Sequence, residues 1–182
     1  LPWAWNEDEA FRKDIKDLST GIAWYRKHFR LPASAKGQKI FLEFEGIRQA
    51  GEFYLNGKFI GLHENGVMAF AFDITDLVKF DEGNVLAART DNDWNYQEKE
   101  TKTKFQWEDK NFNANYGGIN KNVYLYVVPK VYQTLPLYSN LKTTGVYIYA
   151  DNFNIKGHSA TVHAESEIKN ESIRPQRITY KV

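Results

Sequence analysis

Two stretches of this sequence combine groups that could hold a polyhydroxylated ligand. The first is Asp91-Asn92-Asp93-Trp94-Asn95-Tyr96. The second runs from Trp107-Glu108-Asp109 to Asn115-Tyr116-Gly117-Gly118-Ile119. An ionised Asp accepts several hydrogen bonds, and Asn both donates and accepts. Beside them, an aromatic ring presents an apolar face that can stack on the apolar face of a sugar. Asp93, Trp94, Asn95 and Tyr116 are therefore candidate sugar contacts. The plainer alternative is that Trp94 packs its loop onto the fold. Clustered Asp and Asn oxygens can also bind Ca²⁺, but no EF-hand-like spacing is present. No metal and no cofactor is expected.

Other chemistry finds little support. Hydrolysis of a glycosidic bond usually needs two carboxylates flanking it. The pairs Glu43/Glu45, Glu98/Glu100 and the run Glu7-Asp8-Glu9 read as solvated surface groups. None of the histidines His28, His63, His158 and His163 shows His-x₃-His or His-Glu-x₂-His spacing. There is no Gly-x-Ser-x-Gly elbow. Gly117-Gly118 lacks the flanking lysine of a phosphate loop.

Bulk properties narrow the class further. The 182 residues suffice for one domain and part of another. Net charge is 24 − 23 = +1, with no block of like charge, so no nucleic-acid footprint is read. No apolar run is long enough to span a membrane. With no cysteines, disulfides and thiolate sites are excluded. An exported bacterial protein is expected, with the cytoplasm left open. Aromatics form 15% of the chain, most of them expected in a core.

The elements that must position the candidates read as β throughout. Asn6 to Phe11 suggests one helical turn capped by Asn6. Gly21–Leu31 alternates into a strand. In Lys39–Gly46, Ile40, Leu42 and Phe44 share one face, with Glu43 and Glu45 on a solvated side. Asn56-Gly57, between Tyr54-Leu55 and Phe59-Ile60, is a two-residue hairpin turn, in which both central residues take φ > 0. Further strands are expected near 69–73, 84–91 and 122–128, with one turn of helix at Thr75–Val78. Regular short strands with turn signals predict an all-β jelly-roll sandwich of two antiparallel sheets. The segment between Asp91 and Asn122 is a long loop, rich in Trp, Tyr, Asn and Asp, and is expected to be ordered and functional. After Val128-Pro129 the strand pattern restarts at Thr144–Ala150, Ala160–Ile168 and 176–182. Those three strands fall short of the roughly seven of an immunoglobulin-type sandwich.

The series Gly21-Ile22-Ala23-Trp24-Tyr25-Arg26-Lys27-His28-Phe29, the hairpin at Gly51–Gly61, Phe70-Ala71-Phe72-Asp73-Ile74-Thr75-Asp76-Leu77 and Gly83–Asn92 resembles the N-terminal sugar-binding domain of family 2 glycoside hydrolases. That family includes β-galactosidases, β-glucuronidases and β-mannosidases. The resemblance implies a galactose-binding-like jelly roll over residues 1–130 and a truncated, partial immunoglobulin-like β-sandwich over 131–182. It implies a larger protein, a retaining exo-acting β-glycosidase, with both catalytic glutamates in a later (β/α)8 barrel. The chain itself would then carry no catalytic residue. Its partners would be that barrel and a carbohydrate substrate, with galactose put first and the oligomeric state open. The stretch Glu108–Ile119 before Asn122-Val123-Tyr124-Leu125 is similar to the family's "x-D-x-F-N-Y-A-G-I" segment. The resemblance places Asp109 where the family's substrate-contacting aspartate falls. Trp3 and Trp5 echo a family "L-P-H-x-W" and are expected to plug the sandwich edge. The alternative is a stand-alone carbohydrate-binding module using Trp94, Tyr96 and Trp107.

Overall fold

The computed structural model describes residues 3–64, 67–104 and 115–181. Its strands are β1 (Trp3–Ala4), β2 (Ile22–Arg30), β3 (Lys39–Phe44), β4 (Ala50–Leu55), β5 (Lys58–His63), β6 (Phe70–Asp73) and β7 (Gly83–Asp91). They continue with β8 (Gly118–Ile119), β9 (Val123–Val128), β10 (Val131–Gln133), β11 (Val146–Asn154), β12 (Ser159–Ser166) and β13 (Ile168–Asn170), with one helical turn α1 (Tyr138–Leu141). An antiparallel four-stranded sheet, β2-β7-β4-β5, faces an antiparallel three-stranded sheet, β6-β3-β9. The chain is all-β, as its alternation predicts.

Alternation decides which side chains enter the core. Along β7, Asn84, Leu86, Ala88 and Thr90 are buried, while the residues between them are half-exposed. Phe53 and Leu55 of β4 meet Ile40, Leu42 and Phe44 of β3 in one cluster. At its centre, Phe44, Phe53 and Phe70 have no exposed surface, with ring centroids 4.6–5.2 Å apart. Each such ring contributes about 1.5–3 kcal/mol on leaving water.

The hairpin turn has the predicted geometry, with φ of +52° at Asn56 and +81° at Gly57. Asn56 is also tied to β7. Its side-chain Nδ2 donates to Asn84 Oδ1 at 2.9 Å, and its side-chain Oδ1 accepts from Val85 N at 3.0 Å.

Several expectations give way. Glu43 is only 9% exposed and accepts a hydrogen bond from the Tyr126 hydroxyl at 2.8 Å. The outer side of β3 is covered as well, by residues of β10 and the segment after β13. Tyr132 of β10 lies 5.4 Å from Phe41, and Lys39 contacts both Asp73 and Glu171, the latter at 2.9 Å. Burial pushes the Glu171 carboxyl up, but the Tyr132 hydroxyl and the Lys39 and Lys169 ammonium groups outweigh it and hold it at about 2. Residues 176–181 form no strand; the third strand of that region is β13, paired with β10. Thr75–Val78 is a turn rather than a helix. Glu7–Phe11 is a 3-10 turn, and Asn6 makes no side-chain cap there. Trp3 pairs with Ile119 but is 56% exposed, so it lies on the edge rather than plugging it.

β11 and β12 form a hairpin exposed on both faces. Ile148 and Val162 are 63% and 67% exposed. Among the described residues no helix is long and apolar enough to cross a membrane, and no group of His, Cys, Asp or Glu could hold a metal ion.

Candidate functional site

Three buried asparagines gather the candidate loops at one end of the sandwich. Asn92 directly follows β7, Asn115 precedes β8, and Asn6 lies in the N-terminal segment. Each is 2% exposed or less. The Asn92 amide donates to the Asn115 carbonyl at 3.0 Å, and the Asn115 amide returns the bond to the Asn92 carbonyl at 2.5 Å. Asn92 Oδ1 accepts from Gly21 N at 2.9 Å, and Asn115 Oδ1 from Arg48 Nε at 3.2 Å. Asn6 donates to the carbonyls of Ser19 and Asn115, both at 2.8 Å, and accepts from Gly117 N at 2.8 Å. A side-chain amide offers both donors and acceptors, so three of them can satisfy irregular backbone that has no ladder to join.

The crossing through Gly117-Gly118 is correspondingly tight. Gly118 N donates to the Arg48 carbonyl and Arg48 N to the Gly118 carbonyl, each at 2.9 Å. Gly118 has φ +105°, and a Cβ there would lie 1.9 Å from the Tyr25 hydroxyl. A Cβ on Gly117 would lie 2.3 Å from Trp5 Nε1. The glycine pair serves close backbone approach. Burial lowers the pKa of the Arg48 guanidinium, which remains a cation at the base of the loops.

Each predicted site residue has a definite place except one. Asp109, with Trp107, lies outside the described residues. Asp93 is half-buried, and its carboxylate accepts from Asn95 N at 2.7 Å, forming a tight local turn. Asn95 itself is exposed, and Tyr116 is half-buried. Trp94, at 8% exposed, is largely enclosed. Asn92 and Asn115 bring Asp93, Trp94 and Asn95 beside Tyr116, although the two segments are far apart in sequence.

The loop is also tied at its far side. Tyr96 donates to Glu64 at 2.5 Å, and Lys99 N donates to the same carboxylate at 2.8 Å. Burial and then the Glu64 carboxylate push the Tyr96 hydroxyl far above its ordinary value. Glu52 is held below its ordinary value, first by Lys99 and then by the Tyr54 hydroxyl. A cavity of about 510 Å³ opens between β2 and β9, and another of about 540 Å³ lies beside α1. Neither is lined by Asp93, Asn95 or Tyr116, which thus lie outside both of these cavities.

A family model described as glycosyl hydrolase 2 galactose-binding domain-like matches residues 7–126. The chain belongs to this family. The galactose-binding-like chain is similar to a β-glucuronidase of Formosa agariphila, with 41% identity over 87% of the chain and 16% of that protein. It is 33% identical to a β-galactosidase of Thermoanaerobacter pseudethanolicus, over 59% of the chain and 14% of the relative. Among solved structures, a β-glucuronidase from glycoside hydrolase family 2 superposes with a TM-score of 0.79 and 37% identity, over 94% of the chain and 18% of the other. The chain therefore spans less than a fifth of these larger proteins.

The asparagine cluster is not legible in the sequence. The only available signal was Asn at both ends of the long loop, and asparagine is so common in loops that its position alone says little.

Proposed function

We propose that the chain is the non-catalytic, sugar-binding N-terminal part of a retaining, exo-acting β-glycosidase. Its family membership carries this reading. Relatives named β-glucuronidase share more identity than the one named β-galactosidase described above, so a β-glucuronide stands first as substrate and a β-galactoside second. In this reading residues 1–130 are the sugar-binding jelly roll. Residues 131–182 begin an immunoglobulin-like sandwich, which fits the double exposure of β11 and β12.

The proposed role of the loop end is to supply one wall of the substrate pocket against a catalytic barrel. Asp109 accepts from a hydroxyl of the terminal sugar, with Asp93, Asn95 and Tyr116 adjoining it and Trp94 supporting them. The test is made in the full-length parent with nitrophenyl β-glucuronide and β-galactoside. Asp109→Ala is expected to lower kcat/KM by roughly 10²-fold, as loss of a charge-assisted hydrogen bond of about 1.5–3 kcal/mol requires. The 182-residue chain alone is expected to give buffer rates. Wild-type kcat/KM in Asp109→Ala would reduce Asp109 to a turn residue. Turnover by the chain alone would overturn its non-catalytic role.

A further inference from the structure

The outer face of the four-stranded sheet carries an aromatic row that the loop cluster does not use. Trp24 of β2 and Phe59 of β5 are 60% and 58% exposed. Tyr54 of β4 lies between them, its ring centroid 6.0 Å from Trp24 and 5.5 Å from Phe59. The Trp24 and Tyr54 planes are inclined by 32° and approximate one floor, which Phe59, edge-on to Tyr54 at 63°, bounds on its far side. In the register, Ala87 separates Arg26 from Tyr54 and keeps the centre of the face low. All three rings stand on paired strands, and Tyr54 donates to Glu52 at 2.7 Å. The platform is therefore preorganised, which lowers the entropic cost of binding.

The charges around the row specify what it suits. Arg26 and Arg30 of β2 share this face with Arg89 of β7, and Lys99 reaches over it to Glu52. The carboxylates of this face are Glu52 and Asp91, with Arg89 loosely between them at 3.6 and 3.5 Å. Arg26 and Arg30 form no ion pair among the described residues. Cations thus exceed carboxylates beside the rings, on a chain whose net charge is only +1. Pyranose faces stack on aromatic rings, guanidinium groups receive carboxylates, and Glu52 and Asp91 can accept from sugar hydroxyls. A single nucleic-acid strand also uses rings and cations. It wants a continuous basic groove along its backbone, however, and here carboxylates interrupt the cations.

We propose that this face binds an acidic polysaccharide. The chain lies across Trp24, Tyr54 and Phe59, with a uronate carboxylate on Arg26. The proposal goes beyond the glycosidase reading and does not depend on it, because binding is measured on this chain without any turnover.

The test is native affinity electrophoresis of the 182-residue chain through gels containing glucuronoxylan or the neutral arabinoxylan. Glucuronoxylan is expected to retard the chain with a Kd roughly tenfold or more below that for arabinoxylan, as a charge-assisted contact implies. Trp24→Ala and Phe59→Ala are each expected to weaken retardation roughly three- to tenfold through lost stacking. Their melting temperatures should stay at the wild-type value, since both rings are exposed. Arg26→Ala should weaken binding to glucuronoxylan alone. Retardation unchanged in the two aromatic variants would reduce the effect to bulk charge and overturn the proposal. Equal affinity for arabinoxylan would overturn its acidic specificity. Tighter binding of oligo(dT), or a dimer in sedimentation that Trp24→Ala dissolves, would reassign the face to another partner.

Discussion

Asn56-Gly57 and Asn115–Gly118 are both short asparagine–glycine stretches beside strands, yet they are held by different means. At the hairpin, two residues turn the chain between adjacent strands, and a Cβ on Gly57 would meet nothing within 4 Å. Only the backbone conformation calls for glycine there. At the crossing, Gly117-Gly118 threads between Trp5, Tyr25, Asn92 and Arg48, which come from four distant parts of the chain. Space, as well as conformation, calls for glycine there. A turn that answers to its own φ and ψ can be recognised locally. A crossing that answers to its neighbours exists only once they have assembled.

The largest expected effect tests the crossing. Gly118→Ala places a methyl group against the Tyr25 hydroxyl and forces a side chain into φ +105°. The expected loss is about 3 kcal/mol or more, because neither the rigid ring nor the paired backbone can yield cheaply. Urea unfolding measures it. A loss under about 1 kcal/mol would show that the crossing relaxes and that its tightness is not structural.

Gly57→Val should have a smaller effect, about 1–2 kcal/mol, because only the left-handed backbone is strained. The same urea midpoints put the two glycines on one scale. Equal losses at Gly57 and Gly118 would erase the distinction between them.

The smallest effect is a pH dependence at the crossing. Glu9 is held at about 2 by the Lys13 ammonium, then by the hydroxyl and amide of Ser19. Ser19 also offers its carbonyl to Asn6. Since the folded pKa lies below the ordinary 4.5, the stabilisation is present above that value and fades as pH falls from 4.5 towards 2. The melting temperature of Glu9→Gln should therefore lie below wild type at pH 6, and the two should converge near pH 2. A constant difference across that range would remove Glu9 from the anchoring of this segment.

The exposed β11–β12 hairpin shows the same division between local and distant causes. The shortfall of strands after Val131 is legible in the sequence and leaves apolar residues there uncovered, as Val146, Ile148 and Val162 are. Which strands pair with which is decided only by the fold. Glu43 is the converse case. Its alternation marks a solvated side, but β10 and β13 return over that side of the sheet and Tyr126 covers the carboxylate.

What the sequence by itself determined is whatever neighbouring residues decide: the strand periodicity of β2, β3 and β7, the two-residue turn at Asn56-Gly57, and the polar–aromatic character of the loops at Asp93–Asn95 and Tyr116. These depend on φ preferences and on alternation with a period of two, which act over a few residues. Tertiary structure alone decided that Asn6, Asn92 and Asn115 clamp those loops together, that Trp94 is enclosed while Trp24 and Phe59 are open, and that Glu43 is covered. An asparagine or a tryptophan carries no mark of which groups will face it. Hydrogen bonding and burial belong to pairs of residues brought together by the fold, and in this chain Asn6 meets Gly117 across 111 positions.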